Sequence, residues 1–123
     1  MAHVLISLAS NHEHEKNLRE ARLRLEHVLS SSVFTSELWT KPVGTAHAPG
    51  TNYLNQLVSA ETTLDSDHLE AFLKETELAM GRTADMRRQG LVPIDLDLLL
   101  HDGRRFHHHD WQRSYIRQLL EIL

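Results

Sequence analysis

Two aspartates separated by one apolar residue carry the clearest chemical signal in this sequence. They lie in the run Ile94-Asp95-Leu96-Asp97-Leu98. Its alternation is typical of a β-strand, in which residues two apart share a face with Cα atoms about 6.5 Å apart. Two carboxylates so placed suit Mg²⁺ and the phosphates it bridges. The alternative is a strand with one solvated face, but aspartate is disfavoured in strands, which favours the metal site.

A group of arginines precedes this run. Arg82, Arg87 and Arg88 lie in the polar segment Arg82 to Gly90, which lacks apolar periodicity and indicates a mobile basic loop. Guanidinium groups match phosphate oxygens in geometry and stay charged, so the three could hold phosphate. For each arginine alone, a solvated charged loop is an equal alternative.

Tyr53 and Asn55 are predicted on one face of another strand. The ring could stack on a planar ligand, and the amide could pair with a ring edge. Taken alone, a tyrosine at the core edge and a surface asparagine are the simpler interpretation. His12, His14 and the run 107–109 could bind transition metals, although such clusters are more often solvated.

These residues must be positioned by strands and helices, which the apolar periodicity predicts. The predicted strands are His3–Leu8, Val33–Trp39, Tyr53–Thr62, Val92–Leu100 and Arg104–Phe106, the last of which follows the Asp102-Gly103 turn. In the second of these strands, Phe34 and Leu38 are predicted on one face. In the fourth, Leu100 is predicted on the face of Ile94. Predicted helices begin near Glu13, at Asp67 with Gly81 as terminator, and at Asp110 as the cap of the last helix. A loop is predicted over Thr40–Thr51.

The order of these elements is strand, helix, strand, strand, helix, strand, followed by a hairpin strand and a helix. This order predicts an α+β, ferredoxin-like split βαβ fold: an antiparallel sheet with helices packed on one face. Since the chain has 123 residues and no linker or repeat, we expect residues 1–123 to form a single domain.

Composition excludes several classes. The chain has no cysteine, which removes disulfides, thiolate metal sites and cysteine nucleophiles, and we expect a cytoplasmic protein. Its net charge is −4, so bulk charge argues against nucleic acid, and the short apolar runs argue against a signal peptide or a membrane span. The five glycines form no Rossmann or P-loop motif.

Several short motifs together resemble the 6-hydroxymethyl-7,8-dihydropterin pyrophosphokinase family, whose fold is ferredoxin-like. The similar segments are Leu8-Ala9-Ser10-Asn11, Asn17-Leu18, Thr40-Lys41-Pro42-Val43-Gly44, Tyr53-Leu54-Asn55, Glu77 with Gly81-Arg82, and Ile94-Asp95-Leu96-Asp97. They occur in the family's order over residues 4 to about 100.

The resemblance implies transfer of diphosphate from ATP to the hydroxymethyl group of the pterin, with release of AMP, in folate biosynthesis. It implies two Mg²⁺ ions on Asp95 and Asp97, and ATP and the pterin as partners, in a monomer or weak homodimer. By the same resemblance, the catalytic residues are Arg82, Asp95 and Asp97. The residues implied to bind ATP are Glu77, Arg82, Arg87, Arg88, His108 and Arg113. Those implied to bind the pterin are Pro42, Val43, Gly44, Tyr53, Asn55 and Tyr115.

Two departures from the family pattern leave alternatives open. The family's Gly-Pro-Arg before the acidic strand is Gly90-Leu91-Val92-Pro93 here, and a second loop arginine is replaced by Ala84. Losing one arginine that stabilises the transition state can cost orders of magnitude in rate. A catalytically degenerate pterin- or nucleotide-binding homologue is therefore the alternative, and a module that oligomerises through its sheet is a third.

Overall fold

The computed structural model describes residues 1–41 and 52–123. Pro42, Val43 and Gly44 and most of the predicted loop lie outside these residues. The described elements are β1 (Ala2–Ser10), α1 (His14–Leu25), β2 (Ser30–Phe34), β3 (Leu38–Thr40), β4 (Tyr53–Thr62), α2 (Ser66–Ala79), α3 (Ala84–Arg88), β5 (Asp95–His101), β6 (Arg104–Arg105), a 3-10 turn (Asp110–Gln112) and α4 (Ser114–Glu121). In these two ranges no helix is long and apolar enough to cross a membrane.

The strands form one antiparallel sheet in the order β2-β4-β1-β5-β6, and β3 pairs with β4 beside β2. The units β1-α1-β2 and β4-α2-β5 interleave so that β4 and β1 lie side by side at the centre. The predicted α+β, ferredoxin-like class is confirmed. The predicted hairpin is also present, since Asp102 and Gly103 both have positive φ (49° and 89°) and His101 pairs with Arg104.

The helices α1 and α2 cover one face of the sheet, as the sequence predicts. Leu18 of α1 and Leu69 of α2 are fully buried there, together with Ile6 and Leu96 of the sheet. The short C-terminal helix α4 is different, because it covers part of the opposite face. Its buried residues pack with one side chain from each central strand: the cluster comprises Ile116, Leu119, Leu5, Leu57 and Leu99.

The strand predicted over Val33–Trp39 is divided into β2 and β3. Phe34 pairs with Val58, but Leu38 pairs with Asn55, so the register shifts by one residue between them. Such a shift turns the following side chains to the other face of the sheet. Phe34 therefore packs on the α1 and α2 side and Leu38 on the α4 side, and the prediction of a common face is wrong.

The pairing of β5 with β1 contains a similar irregularity. Leu98 pairs with Ile6 and Leu100 with Leu5, so Leu99 is an extra residue in β5. A bulge of this kind re-aims the side chains that follow it. Leu100 packs on the α4 side with Leu99, so its predicted position on the face of Ile94 is wrong.

The starts of α2, α3 and α4 differ from the sequence predictions. The N-cap of α2 is Asp65, which accepts a hydrogen bond from the His68 N–H at 2.8 Å, two residues before the predicted Asp67. The predicted basic loop contains α3, which is too short to show periodicity and is capped by Thr83. Asp110 begins the 3-10 turn, and α4 has no side-chain cap, so its predicted capping role is wrong.

Candidate active site

The two predicted metal-binding aspartates lie on β5, on the face opposite α1 and α2. In the sheet register Asp97 lies beside Ser7 and Asp95 lies beside Ala9 of β1. Ala9 in turn lies beside Asn55 of β4. Since neighbouring strands are about 4.8 Å apart, Asn55 and Asp95 face each other across a small alanine at roughly 10 Å. This row of three strands places Asn55 and Asp95 on either side of Ala9, on one face of the sheet.

Arg82 is fixed by two carboxylates. Its Nη1 atom lies 3.0 Å from Oε2 of Glu77 and 3.1 Å from Oδ1 of Asp95. The backbone leads it there, because Gly81 ends α2 with φ of 95° and the Arg82 N–H bonds back to the Glu77 carbonyl. Gly81 thus acts as the predicted terminator and directs Arg82 toward the acidic strand.

Glu77 is almost fully buried, with 4% of its surface exposed. Its Oε2 atom accepts a hydrogen bond of 2.8 Å from the N–H of Leu96. The pairing of β6 with β5 reaches only Leu100, so β6 does not pair with Leu96. The Glu77 carboxylate accepts the hydrogen bond from the Leu96 N–H at this edge of the sheet. Burial raises the pKa of Glu77, although the Leu96 bond and the Arg82 charge act in the opposite direction.

The acidic pair has unequal electrostatics. Burial, together with the charges of Asp95 and Asp110, raises the pKa of Asp97 to about 7. His107 and Lys74 act in the opposite direction on the pKa of Asp97. A carboxyl group with this pKa is only partly ionised at neutral pH, and an added cation would favour its charged form.

A cleft of about 660 Å³ opens above the row formed by Asn55, Ala9 and Asp95. Its walls come from the start of β4, the end of β3, the first residue of β5 and the start of α4. The lining residues are Ala9, Thr40, Lys41, Tyr53, Asn55, Asp95, Arg113, Ser114 and Tyr115. Four of the predicted ligand-binding residues, Tyr53, Asn55, Arg113 and Tyr115, therefore meet one of the predicted metal ligands in one cavity.

The two tyrosines of the cleft are half-buried and neutral. Burial, followed by the charge of Asp95, raises the pKa of Tyr53. Burial also raises the pKa of Tyr115, while Arg113 opposes the shift. Both hydroxyls therefore stay protonated at neutral pH, and both rings offer flat surfaces to a bound molecule.

Asn55 is buried and its amide is held by neighbouring groups. Its Nδ2 atom donates to the Leu38 carbonyl at 2.9 Å and to Oγ1 of Thr40 at 2.8 Å. These bonds tie β3 to β4 and fix the orientation of the amide at the cleft wall. The one-residue register shift before Leu38 brings that carbonyl within reach.

Comparison with known proteins identifies the family of this chain. The sequence profile described as 7,8-dihydro-6-hydroxymethylpterin-pyrophosphokinase matches residues 5–123. The chain belongs to this family. It is 29% identical over 123 residues to a folate synthesis bifunctional protein of Arabidopsis thaliana, covering 92% of this chain and 25% of that protein. It is 32% identical over 131 residues to a mitochondrial folate synthesis bifunctional protein of Pisum sativum, covering 98% and 25%. The chain thus spans about a quarter of the length of these relatives.

The segment Leu8-Ala9-Ser10-Asn11, which resembles a family motif except that Ala9 replaces its glycine, has a structural role at the end of β1. Asn11 donates from Nδ2 to the Gly90 carbonyl at 3.0 Å, and its Oδ1 accepts from the Val92 N–H at 2.5 Å. Its own N–H bonds to the Val92 carbonyl at 3.0 Å. Asn11 thereby holds the segment that leads into Asp95.

Of the six predicted ATP-binding residues, Arg113 alone lines the cleft. Arg87 and Arg88 are exposed on α3, where Arg88 is paired with Asp85. His108 is exposed in the segment before the 3-10 turn. None of the three lines the cleft, and within residues 1–41 and 52–123 neither arginine forms an ion pair with Asp95 or Asp97.

The structure adds residues that the sequence patterns did not single out. Lys41 lines the cleft, and Lys74 lies with Nζ 3.5 Å from Oε1 of Glu77. His107, rather than His108, faces the acidic strand, and its Nε2 lies 3.5 Å from Oε1 of Glu70. Helical spacing could have found Lys74, because it lies one turn before Glu77. No local signal identifies His107 within its run of three histidines.

The donor set fits Mg²⁺ bound together with a phosphate ligand. Magnesium in nucleotide sites usually has one or two protein carboxylates, and phosphates and water complete its coordination. Asp95 and Asp97 supply two carboxylates on one face. Within residues 1–41 and 52–123, this site included, no group of three histidine or acidic side chains is arranged to hold a metal ion, so the phosphates would have to supply the remaining ligands.

Proposed function

We propose that this chain transfers a diphosphate group from ATP to the hydroxymethyl group of 6-hydroxymethyl-7,8-dihydropterin. One observation carries the proposal: the carboxylate of Asp95 shares a cleft with Tyr53, Asn55, Arg113 and Tyr115. A site for this reaction needs a flat polar pocket next to a place for metal-bound phosphates, and this cleft has groups of both kinds. Family membership supports the same reaction.

In this proposal the pterin lies at the β4 side of the cleft. The rings of Tyr53 and Tyr115 stack on it, and Asn55, whose amide is fixed by Leu38 and Thr40, pairs with its edge. The resemblance also assigns Pro42, Val43 and Gly44, which lie outside the described residues, to pterin binding. An amide held in one orientation distinguishes the pterin from other flat molecules, because a ligand without the matching polar edge leaves the amide unpaired.

The nucleotide lies at the β5 side. Asp95 and Asp97 would hold two Mg²⁺ ions, which when bound would neutralise phosphate charge and polarise the β-phosphorus. Arg82 and Arg113 bind phosphate oxygens. Arg87, Arg88 and His108 would also bind ATP, if the segments that carry them move toward the cleft. Glu77 acts by fixing Arg82 and the backbone of Leu96. Lys41 and Lys74 add positive charge that offsets the arginine replaced by Val92.

The reaction needs positioning more than covalent help from the protein. The pterin hydroxymethyl oxygen attacks the β-phosphorus of ATP, and a new bond forms between them. The bond from the β-phosphorus to the oxygen shared with the α-phosphate breaks, and AMP leaves with that electron pair. The hydroxyl proton passes to water. The tyrosines and Asn55 hold the acceptor, and the arginines hold the phosphates in line with it.

The replacements at Val92 and Ala84 favour one second candidate, a homologue that binds both ligands without turnover. Two measurements separate the transferase from the degenerate homologue. Calorimetry measures binding of the pterin and of the Mg²⁺ complex of α,β-methylene-ATP, and chromatography measures AMP formed from ATP. Binding of both ligands with AMP production, lost in Asp97→Asn, supports the transferase. Binding without AMP overturns it in favour of the degenerate homologue, and failure to bind either ligand overturns both. The cytoplasmic location and the monomer or weak homodimer stay predictions.

A further inference from the structure

Arg113 needs a restraint to act at the cleft. Its side chain is about half exposed (48%) at the junction of the 3-10 turn and α4. A free arginine side chain loses conformational freedom when a ligand fixes it, which weakens binding. A partner that holds the guanidinium beforehand would remove much of this cost.

Asp110 is that partner. Its Oδ1 atom lies 3.2 Å from Nε of Arg113, and its backbone carbonyl accepts the Arg113 N–H at 3.1 Å. The Asp110 side chain is only 18% exposed, so the pair is better shielded than a surface ion pair. Because the contact uses Nε, the donors on the two terminal nitrogens remain for Tyr115 and for a ligand.

The carboxylate of Asp110 is not used to cap a helix. The caps of the 3-10 turn and of α4 are His109 and Arg113, and neither makes a side-chain capping bond. The Asp110 carboxylate instead pairs with Arg113, and its charge raises the pKa of both Asp97 and Tyr115. Its place in the structure is better explained by Arg113 than by helix formation.

We propose that Asp110 is a positioning residue, which holds the Arg113 guanidinium in the cleft so that it binds the phosphates of the nucleotide beside the acidic pair. The inference rests on the proposed function, because it requires that Arg113 binds ATP. Asp110 itself does not contact the ligand. Its effect on catalysis is therefore expressed only when Arg113 is present.

A double-mutant cycle tests this statement. The variants are Asp110→Asn, Arg113→Ala and the double variant, with Asp110→Glu as the conservative replacement and Glu20→Gln as control. Glu20 also pairs with an arginine, Arg24 at 3.5 Å, but on α1 away from the cleft. The readouts are kcat, KM for MgATP, KM for pterin, and the melting temperature.

We expect Asp110→Asn to lower kcat/KM for MgATP by about tenfold or more, with little change in KM for pterin. The melting temperature should change by less than about 2 °C, and Asp110→Glu should recover part of the loss. In the Arg113→Ala background, Asp110→Asn should have less than about a twofold effect. Glu20→Gln should behave as wild type.

Equal effects of Asp110→Asn in both backgrounds would overturn the proposal, as would an unchanged kcat/KM. A loss that follows the melting temperature alone would assign Asp110 a structural role and overturn it too. The wild-type protein is assayed first. Absence of turnover there refutes the proposed function, whereas turnover without coupling between Asp110 and Arg113 refutes only this inference.

Discussion

Oε2 of Glu77 accepts a hydrogen bond of 2.8 Å from the backbone N–H of Leu96, the residue between Asp95 and Asp97. The same oxygen lies 3.0 Å from Nη1 of Arg82. One buried carboxylate at the end of α2 therefore fixes both the strand that carries the acidic pair and the arginine beside it. The geometry of the site depends on a residue that does not line the cleft.

Glu77→Ala should destabilise the protein by about 2–4 kcal/mol, because it leaves the buried Leu96 N–H unpaired and removes one of the two carboxylates that hold Arg82. Glu77→Gln keeps a carbonyl acceptor and should cost less. Urea denaturation measures both, with the exposed Glu75→Ala on the same helix as control. Equal stability of Glu77→Ala and wild type would show that this bond contributes little.

The raised pKa of Asp97 predicts the pH dependence of stability without metal. Its folded-state pKa of about 7 lies above the ordinary value of 3.8, so the folded protein binds more protons between these limits. The contribution of this group to stability is present at low pH and is lost as the pH rises toward 7. Urea denaturation at pH 5 and pH 8, in the presence of a chelator, should show a smaller loss in Asp97→Asn. An identical pH dependence in the two proteins would contradict this.

Asp97→Asn should abolish Mg²⁺-dependent binding of ATP while the fold stays intact, because a neutral amide is a much weaker ligand for a hard cation. Calorimetry with and without Mg²⁺ measures the binding, and circular dichroism checks the fold. Asp102→Asn is the matched control, since Asp102 lies in an exposed turn where asparagine also tolerates the positive φ of 49°. Unchanged nucleotide affinity in Asp97→Asn would remove Asp97 from the metal site.

Asn55→Ala should weaken pterin binding by about 1–3 kcal/mol through the lost polar contact. It should also lower the melting temperature, because the bonds to Leu38 and Thr40 are lost. Fluorescence titration with pterin, with Asn52→Ala as control, measures the first effect. A lower melting temperature with unchanged pterin affinity would make Asn55 a structural residue only.

The sequence was sufficient for the features that depend on local periodicity. The alternation around Asp95 and Asp97, the apolar face of α1 and the Asp102-Gly103 turn all predict elements found in the structure. The positions of Leu38 and Leu100 were predicted wrongly, because each follows a register irregularity set by pairing with a distant strand. No pattern in one segment contains that information.

The candidate site also contains residues that local patterns predict and contacts that depend on distant parts of the chain. Its central residues were predicted from the strand pattern and the resemblance, and the structure brings Tyr53, Asn55, Asp95 and Tyr115 to one cleft. The contact between Glu77 and Leu96 joins residues from a helix and a strand, and it depends on how far β6 extends along β5. Arg87 and Arg88 lie on α3, whose five residues are too few to show a helical pattern.

The most direct test of the central claim is the identity of the group transferred. The protein is mixed in excess over 6-hydroxymethyl-7,8-dihydropterin with Mg²⁺-ATP, and ³¹P NMR follows a single turnover. The account predicts AMP in a 1:1 ratio to a pterin product with two coupled phosphorus resonances, and no product when a chelator removes Mg²⁺. ADP with a pterin monophosphate, or no transfer in the presence of both bound ligands, would contradict it.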